Sequence, residues 1–547
     1  MTKPQVSSAA PDSAVLDSEH VGDIRGALGT IRLDDTSPRR GMSATIKTLL
    51  AIVGPGLIVM VGDNDAGAFA TYGQAGQNYG TRLMWTLVLL IPVLYVNQEM
   101  VLRLGAVTGV GHARLILERF GKFWGAFSVI DLFLLNALTI ITEFIGVTLA
   151  AGYLGLPKVL SVALAALVIV GSAFTGSFRR FERMAMAFCG ASLLLIPVYF
   201  MAHPAASQMA RSFVVPQLPG GSGQLSTVML LIIGIVGTTV APWQLFFQQS
   251  YVIDKRITPR FMKYEKADLW IGIVIVIVGA AAVMGITTTV FAHTGAFGHF
   301  SNAGGLASGV GAYAGRIGGV LFAIALLDAS VIGAFAVSLS TAYAIGDVLG
   351  LKHSLHRGVK GAKGFYAIYG GVIAVAAAVV LIPGSPLGLM TEGVQVMAGV
   401  LLPSATVFLL LLCNDRAVLG PWVNGRKTNV FASVVVAVLV TLSIVLTAAE
   451  AFPHITAGQI ITILICCAAG SVLAGGFTLA RRLRPGSVAT LPVDRTGRTG
   501  WRMPPLTLLD RPVLSTGRKL AMSAMWLYLL IAIILVVVRI AEMALGH

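Results

Sequence analysis

The chain is expected to be an all-α polytopic membrane protein with about thirteen transmembrane helices, ten of them arranged as two inverted repeats of five. Three observations carry that expectation. Of the 547 residues, 56% are hydrophobic and only 12% are charged, which excludes an ordinary soluble enzyme. The apolar residues gather into thirteen runs of spanning length, against the roughly 20 residues that a span requires. Two of these runs, each opening a group of five, are broken at their centres by polar, helix-unfriendly residues.

In chain order, the first 46 residues are polar and rich in Asp, Ser and Arg. They contain no apolar h-region, so no secretory signal is expected and the segment reads as a disordered cytoplasmic tail. Runs at 48–72, 83–104, 126–154, 158–175 and 185–202 form the first repeat, 47–202. Runs at 227–251, 269–292, 317–346, 366–383 and 390–413 form the second, 227–413. Runs at 429–449, 457–480 and 520–543 belong to a C-terminal region, 429–547, that includes a basic cytoplasmic loop at 481–519. Five spans is an odd number, so the second repeat is inverted relative to the first. Gly-rich 304–319 reads as a flexible outer loop.

Placing the N-terminus inside puts 34 of the 39 Lys and Arg residues in the tail and the alternate loops. This is the positive-inside bias, and it predicts a multi-pass protein of the cell membrane with its N-terminus cytoplasmic and its C-terminus external. The same distribution explains the net charge of +15 through orientation and anionic lipid, without nucleic acid. The four cysteines, Cys189, Cys413, Cys466 and Cys467, lie in or beside apolar runs. None is spaced as a metal ligand or framework disulfide.

The two interruptions carry the chemistry. The first is Gly62-Asp63-Asn64-Asp65-Ala66-Gly67, the second Gly237-Thr238-Thr239-Val240-Ala241-Pro242-Trp243-Gln244. A carboxylate near the bilayer centre costs roughly 2.5–3.5 kcal/mol on insertion scales, so it is rarely kept without a role. Gly and Pro at that depth free carbonyls, which are tolerated only where they line a cavity. A carboxylate beside bare carbonyls in two interrupted helices is how secondary transporters build cation sites.

The residues around these breaks resemble a known family. Gly54-Pro55-Gly56, the run from Asp65 to Thr71, Gln74-Ala75-Gly76 and Tyr79-Gly80 are similar to the first helix of the Nramp divalent-metal transporters, where the usual run is Asp-Pro-Gly-Asn. Gly237 to Gln244 resembles the sixth helix, usually Gly-Ala-Thr-Val-Met-Pro-His-Asn. Gln395, Leu402-Pro403, Asp415-Arg416, Leu419-Gly420 and Asn424 are similar to the tenth helix and the loop after it. The resemblance implies a LeuT-type fold and passage of divalent cations by alternating access, with no enzymatic reaction and no cofactor.

The departures shape the expected cargo. Asp65 matches the family's metal-binding aspartate, but Ala68 stands where its asparagine would be, and Ala241 replaces the methionine whose thioether contacts the metal. Losing a soft sulfur ligand removes the main chemical preference for transition metals. The expected ligand set is all oxygen: Asp65 and Asp63, carbonyls near Ala66 and Thr238, the Thr238 and Thr239 hydroxyls, and Gln395. Mg²⁺ is held by one or two carboxylates with retained waters. The pattern therefore resembles the Nramp-related magnesium transporters, with Mn²⁺ as a second ion. Trp243 and Gln248 stand where the family carries two sixth-helix histidines. Of the third-helix acidic positions, matched by Asn136, Glu143 and Gly146, only Glu143 can still titrate. A proton route needs a chain of ionisable groups, so uptake without proton coupling is expected.

Asn64, Gly67, Gln244 and Asp328 complete the residues expected to line the cavity or couple to it. Blander roles stand beside these: Asp65 as a helix cap or a partner of Arg103, Asp63 facing the aqueous entrance instead of the ion, Gln395 hydrogen-bonded to a neighbouring helix, Trp243 as packing, Asp328 and Glu143 as satisfied core acids. The competing functions are a proton-coupled Mn²⁺/Fe²⁺ symporter, a sodium-coupled organic-solute symporter and a membrane metal sensor. Asp65 would repel a substrate carboxylate, which disfavours the second. No soluble segment with a core is evident for the third.

Overall fold

A computed structural model describes residues 17–219, 225–383, 387–452, 455–483 and 493–510, with isolated positions from 512 to 538. Helices α1 (Met42–Ile52), α2 (Pro55–Gly62) and α3 (Ala66–Tyr79) occupy the first expected span. It is interrupted twice, once at the anticipated polar run and once at Gly54, where α1 and α2 meet at 51°. Pro55 has no N–H to offer and starts α2 at N1, while Gly54 takes the positive φ of +154° that separates the two helices.

The first repeat continues through α4 (Trp85–Thr108), α5 (His112–Phe120), α6 (Lys122–Tyr153), α7 (Lys158–Ala173), α8 (Phe178–Ala191) and α9 (Leu195–Ala202). After α10 (Ala206–Val214), the second repeat opens with α11 (Leu225–Thr239) and α12 (Pro242–Asp254), then α13 (Met262–Phe291), α14 (Ala303–Leu349), α15 (Lys363–Val380) and α16 (Leu387–Cys413). Short α17 (Arg416–Leu419) precedes α18 (Arg426–Ala451) and α19 (Ala457–Leu483). Among the described residues, nine helices are long and apolar enough to span, or up to eleven if each bent pair is one span. The fold is thus a membrane helix bundle of the LeuT type, with its first and sixth spans unwound. The thirteenth expected helix, 520–543, lies mostly outside the described residues.

Two expectations are corrected. Residues 17–41 of the tail are ordered: β1 (Ile24–Arg25) pairs antiparallel with β2 (Thr30–Ile31), and Ile24, Ala27 and Ile31 are buried. Apolar residues at alternate positions gave this short hairpin a face to bury, which the polar composition concealed. Gly-rich 304–319 is helical, started by Asn302, whose side chain accepts from Gly305 N at 3.0 Å. A kink at Gly315 (φ +78°) is the only trace of its glycine content.

The centre of the bundle is made by α6 and α14 closing on the first break. At Gly333 an added Cβ would lie 2.8 Å from both the Asp65 Cβ and the Glu143 carboxyl carbon. Gly146 lies equally tight against Ala66 and Ser330. Small residues let membrane helices approach this closely.

Candidate cation site

The first break is three residues long: Asp63, Asn64 and Asp65, between α2 and α3. Asp65 is the N-cap of α3, its Oδ1 accepting from Ala68 N at 2.8 Å. Glu143, on α6, accepts from Ala66 N at 3.2 Å. Ala66 is the first residue of the helix, where the N–H is the free backbone group, and Glu143 takes it. The Asp65 and Glu143 side chains lie side by side against Gly333. Arg103 is elsewhere, donating to Trp422 O at 2.5 Å and Asn424 Oδ1 at 2.6 Å, so it is no partner of Asp65.

The second break is shorter. α11 ends at Thr239 and α12 begins at Pro242, with Ala241 extended (φ −92°, ψ 145°). Its neighbours join it to the first break. Gln98 on α4 donates to Gln244 Oε1 at 2.8 Å. With its carbonyl thus occupied, Gln244 turns its NH₂ group to Asp63 Oδ1 and to Thr239 O. Thr239 Oγ1 donates to Ile235 O at 2.5 Å, so Tyr72 OH, 2.7 Å from that hydroxyl, must be the donor between them.

Four buried oxygens at or beside these breaks have no partner: Asp63 Oδ2, Asn64 Oδ1, Thr238 Oγ1 and, on α6, Glu143 Oε1. Asp63 and Glu143 are wholly buried, and Thr238 nearly so. Leaving such acceptors unmade costs about 1–3 kcal/mol each, more when charged. A cation is a partner that suits carboxylate and hydroxyl lone pairs left free in this way. Among the described residues, no group of three or more His, Cys, Asp or Glu side chains is arranged to hold a metal. The centre is accordingly sparse, hard and oxygen-lined, with Ala68 and Ala241 contributing no side-chain ligand.

Several expected residues fall outside this centre. Asn64 turns away, donating to Val276 O on α13 at 3.2 Å beside Gly279. Asp328 accepts from Ser192 at 3.2 Å on the α8–α9 side, away from the breaks. Trp243 is packing: its ring lies near Gly62 and Phe247, and its carbonyl accepts from Ser340 at 2.9 Å. Thr239 is engaged by Tyr72, and Gly67 O accepts from Thr71 at 2.8 Å. Asn136 donates to Thr341 at 2.9 Å, whereas Gln248 is buried with both amide atoms unpartnered. Gln395 is on α16, but its side chain lies outside the described residues. Gln98 and Tyr72 went unrecognised in the sequence. A glutamine or tyrosine within an apolar run was the available signal.

Two facing unwound helices around a buried polar centre, within an inverted-repeat bundle, define a class of membrane protein built to enclose a small polar guest. The chain belongs to the Nramp family: residues 56–449 match the family described as natural resistance-associated macrophage protein-like. It is 27% identical over 431 residues to the divalent metal cation transporter MntH of Burkholderia ambifaria, covering 74% of this chain and 90% of that one. It is 28% identical over 416 residues to MntH of Ralstonia nicotianae, covering 72% and 89%. In fold it is similar to a crystal structure of the Eremococcus coleocola manganese transporter, with a TM-score of 0.61 at 20% identity over 81% of this chain and 96% of that one.

Proposed function

We propose that the protein carries divalent cations across the cell membrane by alternating access, with Mg²⁺ as its cargo and no coupled proton. In this reading the N-terminus is cytoplasmic. Asp63 Oδ2, Asp65 and the Thr238 hydroxyl, with retained waters, hold the ion. The observation that supports it is the set of unpartnered buried oxygens at the two breaks, where Ala68 and Ala241 offer no side-chain ligand. A hard ion that keeps part of its hydration shell suits such a sparse centre. Membrane potential alone supplies roughly 4.6 kcal/mol per 100 mV for a divalent ion.

A second reading is proton-linked Mn²⁺ transport. The position of Glu143 beside Asp65, both against Gly333, favours it, since Glu143 is an ionisable group that a proton route through this centre could use. The relatives named as MntH and as a manganese transporter point the same way. Proteoliposomes carrying both a Mg²⁺ indicator and a pH dye separate the two. Mg²⁺ entry with a flat internal pH fits the first reading. Mn²⁺ entry accompanied by acidification, with Mg²⁺ excluded, fits the second.

A further inference from the structure

We propose that residues 17–41 form a strap that holds the pathway shut at the face carrying the N-terminus, and that it must part from α1 before cargo can leave on that side. This rests on the transport reading above. The strap is fastened to three separate elements. Asp17 accepts from Arg357 Nε at 3.0 Å and Nη2 at 2.5 Å, tying it to the loop between α14 and α15. Arg256, just beyond α12, donates to Glu19 O at 2.8 Å. On α8, Glu182 accepts from Ala27 N at 2.5 Å while Arg183 donates to Ala27 O at 3.1 Å.

Beneath the strap is α1. Gly26 and Gly29 lie against Ala51, and a Cβ on Gly29 would meet the Ala51 Cβ at 2.9 Å. One residue on, α1 ends, and its terminal carbonyls are held by a side chain. Lys255 Nζ donates to Ile52 O at 2.7 Å, Val53 O at 2.9 Å and Glu182 at 2.7 Å. Asp268 takes the first N–H groups of α2, from Gly56 at 2.6 Å and Gly54 at 3.2 Å. The turn at Gly54 is therefore a joint whose two helix ends are satisfied by charged side chains instead of by a continuous ladder, so it can bend without tearing a helix. Glu182 serves the strap through one oxygen and Lys255 through the other. Docking the strap and clamping the joint are consequently one event. At the other ends of α3, α9 and α13 a cavity of about 1360 Å³ is open, lined by Asn78, Arg82, His203 and His293 among others. A cavity thus lies at one end of these helices while the strap covers the other.

The test uses the full chain with its four cysteines replaced by Ser and the pair Gly29→Cys and Ala51→Cys introduced. A disulfide needs Cβ atoms about 3.5–4.5 Å apart, which the strap reaches by yielding a fraction of an ångström. In proteoliposomes the oxidised protein is expected to lose about ten-fold or more in Mg²⁺ and Mn²⁺ uptake, with recovery on reduction and an unchanged ion-induced thermal shift. Uptake equal in oxidised and reduced protein would overturn the strap as a gate. If neither ion crosses even in the unsubstituted protein, the transport reading fails, and thiol labelling then decides the strap. An impermeant reagent should label a lone Ala51→Cys about ten-fold faster when Asp17→Asn is added, and charge exchange (Asp17→Arg with Arg357→Asp) should restore protection. Labelling at one slow rate in all three would overturn it.

Discussion

At the scale of single residues, the account rests on which oxygens are free. Asp63 keeps one unpartnered oxygen because Gln244 takes the other, and Gln244 is aimed by Gln98. Asp65→Ala should abolish ion uptake while leaving the helical circular dichroism intact; normal flux would remove this centre from consideration. Gln98→Leu frees Gln244 to turn, so the half-saturating ion concentration should rise about ten-fold, equivalent to ~1.4 kcal/mol, with little change in maximal rate. Ala241→Met reintroduces a soft ligand and should shift preference toward Mn²⁺, read as the ratio of Mn²⁺ to Mg²⁺ uptake. An unchanged ratio would argue that sulfur is not what sets selectivity. The carboxylates were legible in the sequence because they sit at a helix interruption, and the expected lack of a thioether came from the family resemblance at Ala241. The turning of Asn64 toward Val276 and the withdrawal of Asp328 to Ser192 were not. Linear spacing places a side chain on a helix without saying which neighbour faces it.

At the scale of elements, the structure turns on how closely helices meet and on how the strap docks. Gly333→Val puts a side chain into Asp65 and Glu143, and overpacking of this kind costs about 1–3 kcal/mol, so the midpoint of thermal unfolding should fall by several degrees. The strap also carries a histidine that should respond to pH. His20 Nε2 donates to His353 O at 3.1 Å, in a pocket it shares with Asp254 of α12, with Asp347 of α14 and with Asp17 of the strap itself. Burial, with the facing His353, lowers the His20 pKa below its usual 6.5 despite those carboxylates. For His353 burial also opposes charge, but Asp347, 2.9 Å away, outweighs it and raises the pKa to about 9. The signs differ. Docking gains from neutral His20 above pH 6.5 and loses that gain as pH falls, whereas the His353–Asp347 contribution is complete below pH 6.5 and is lost as pH rises through about 9. With each rate divided by that of the same thiol in the denatured protein at the same pH, which cancels the thiolate fraction, protection of Ala51→Cys should fall from pH 7.5 to pH 5 less steeply in His20→Gln than in the protein with His20. The long apolar helices were legible because length and hydropathy suffice to mark them. The strap was not, because its two-residue strands bury only a few apolar side chains in a polar stretch.

For the whole molecule, the inverted plan follows from an odd number of spans per repeat, and the Lys and Arg bias is the basis on which a cytoplasmic N-terminus is proposed. Both are properties of the entire chain, so small errors in a helix boundary leave them standing. The joint at Gly54 is different: its clamp unites Glu182, Lys255 and Asp268 from α8, the end of α12 and α13, a convergence that only the folded bundle displays. Transport would consist of this bundle presenting one sparse oxygen centre first to the open face and then to the strapped one. The most direct test is reconstitution of the purified protein in liposomes, with internal Mg²⁺ followed by an indicator dye under an imposed inside-negative potential. The account predicts potential-driven Mg²⁺ entry that Asp65→Ala removes. Vesicles that admit Mn²⁺ but no Mg²⁺ would contradict it, showing that an oxygen-lined centre selects a transition metal without sulfur.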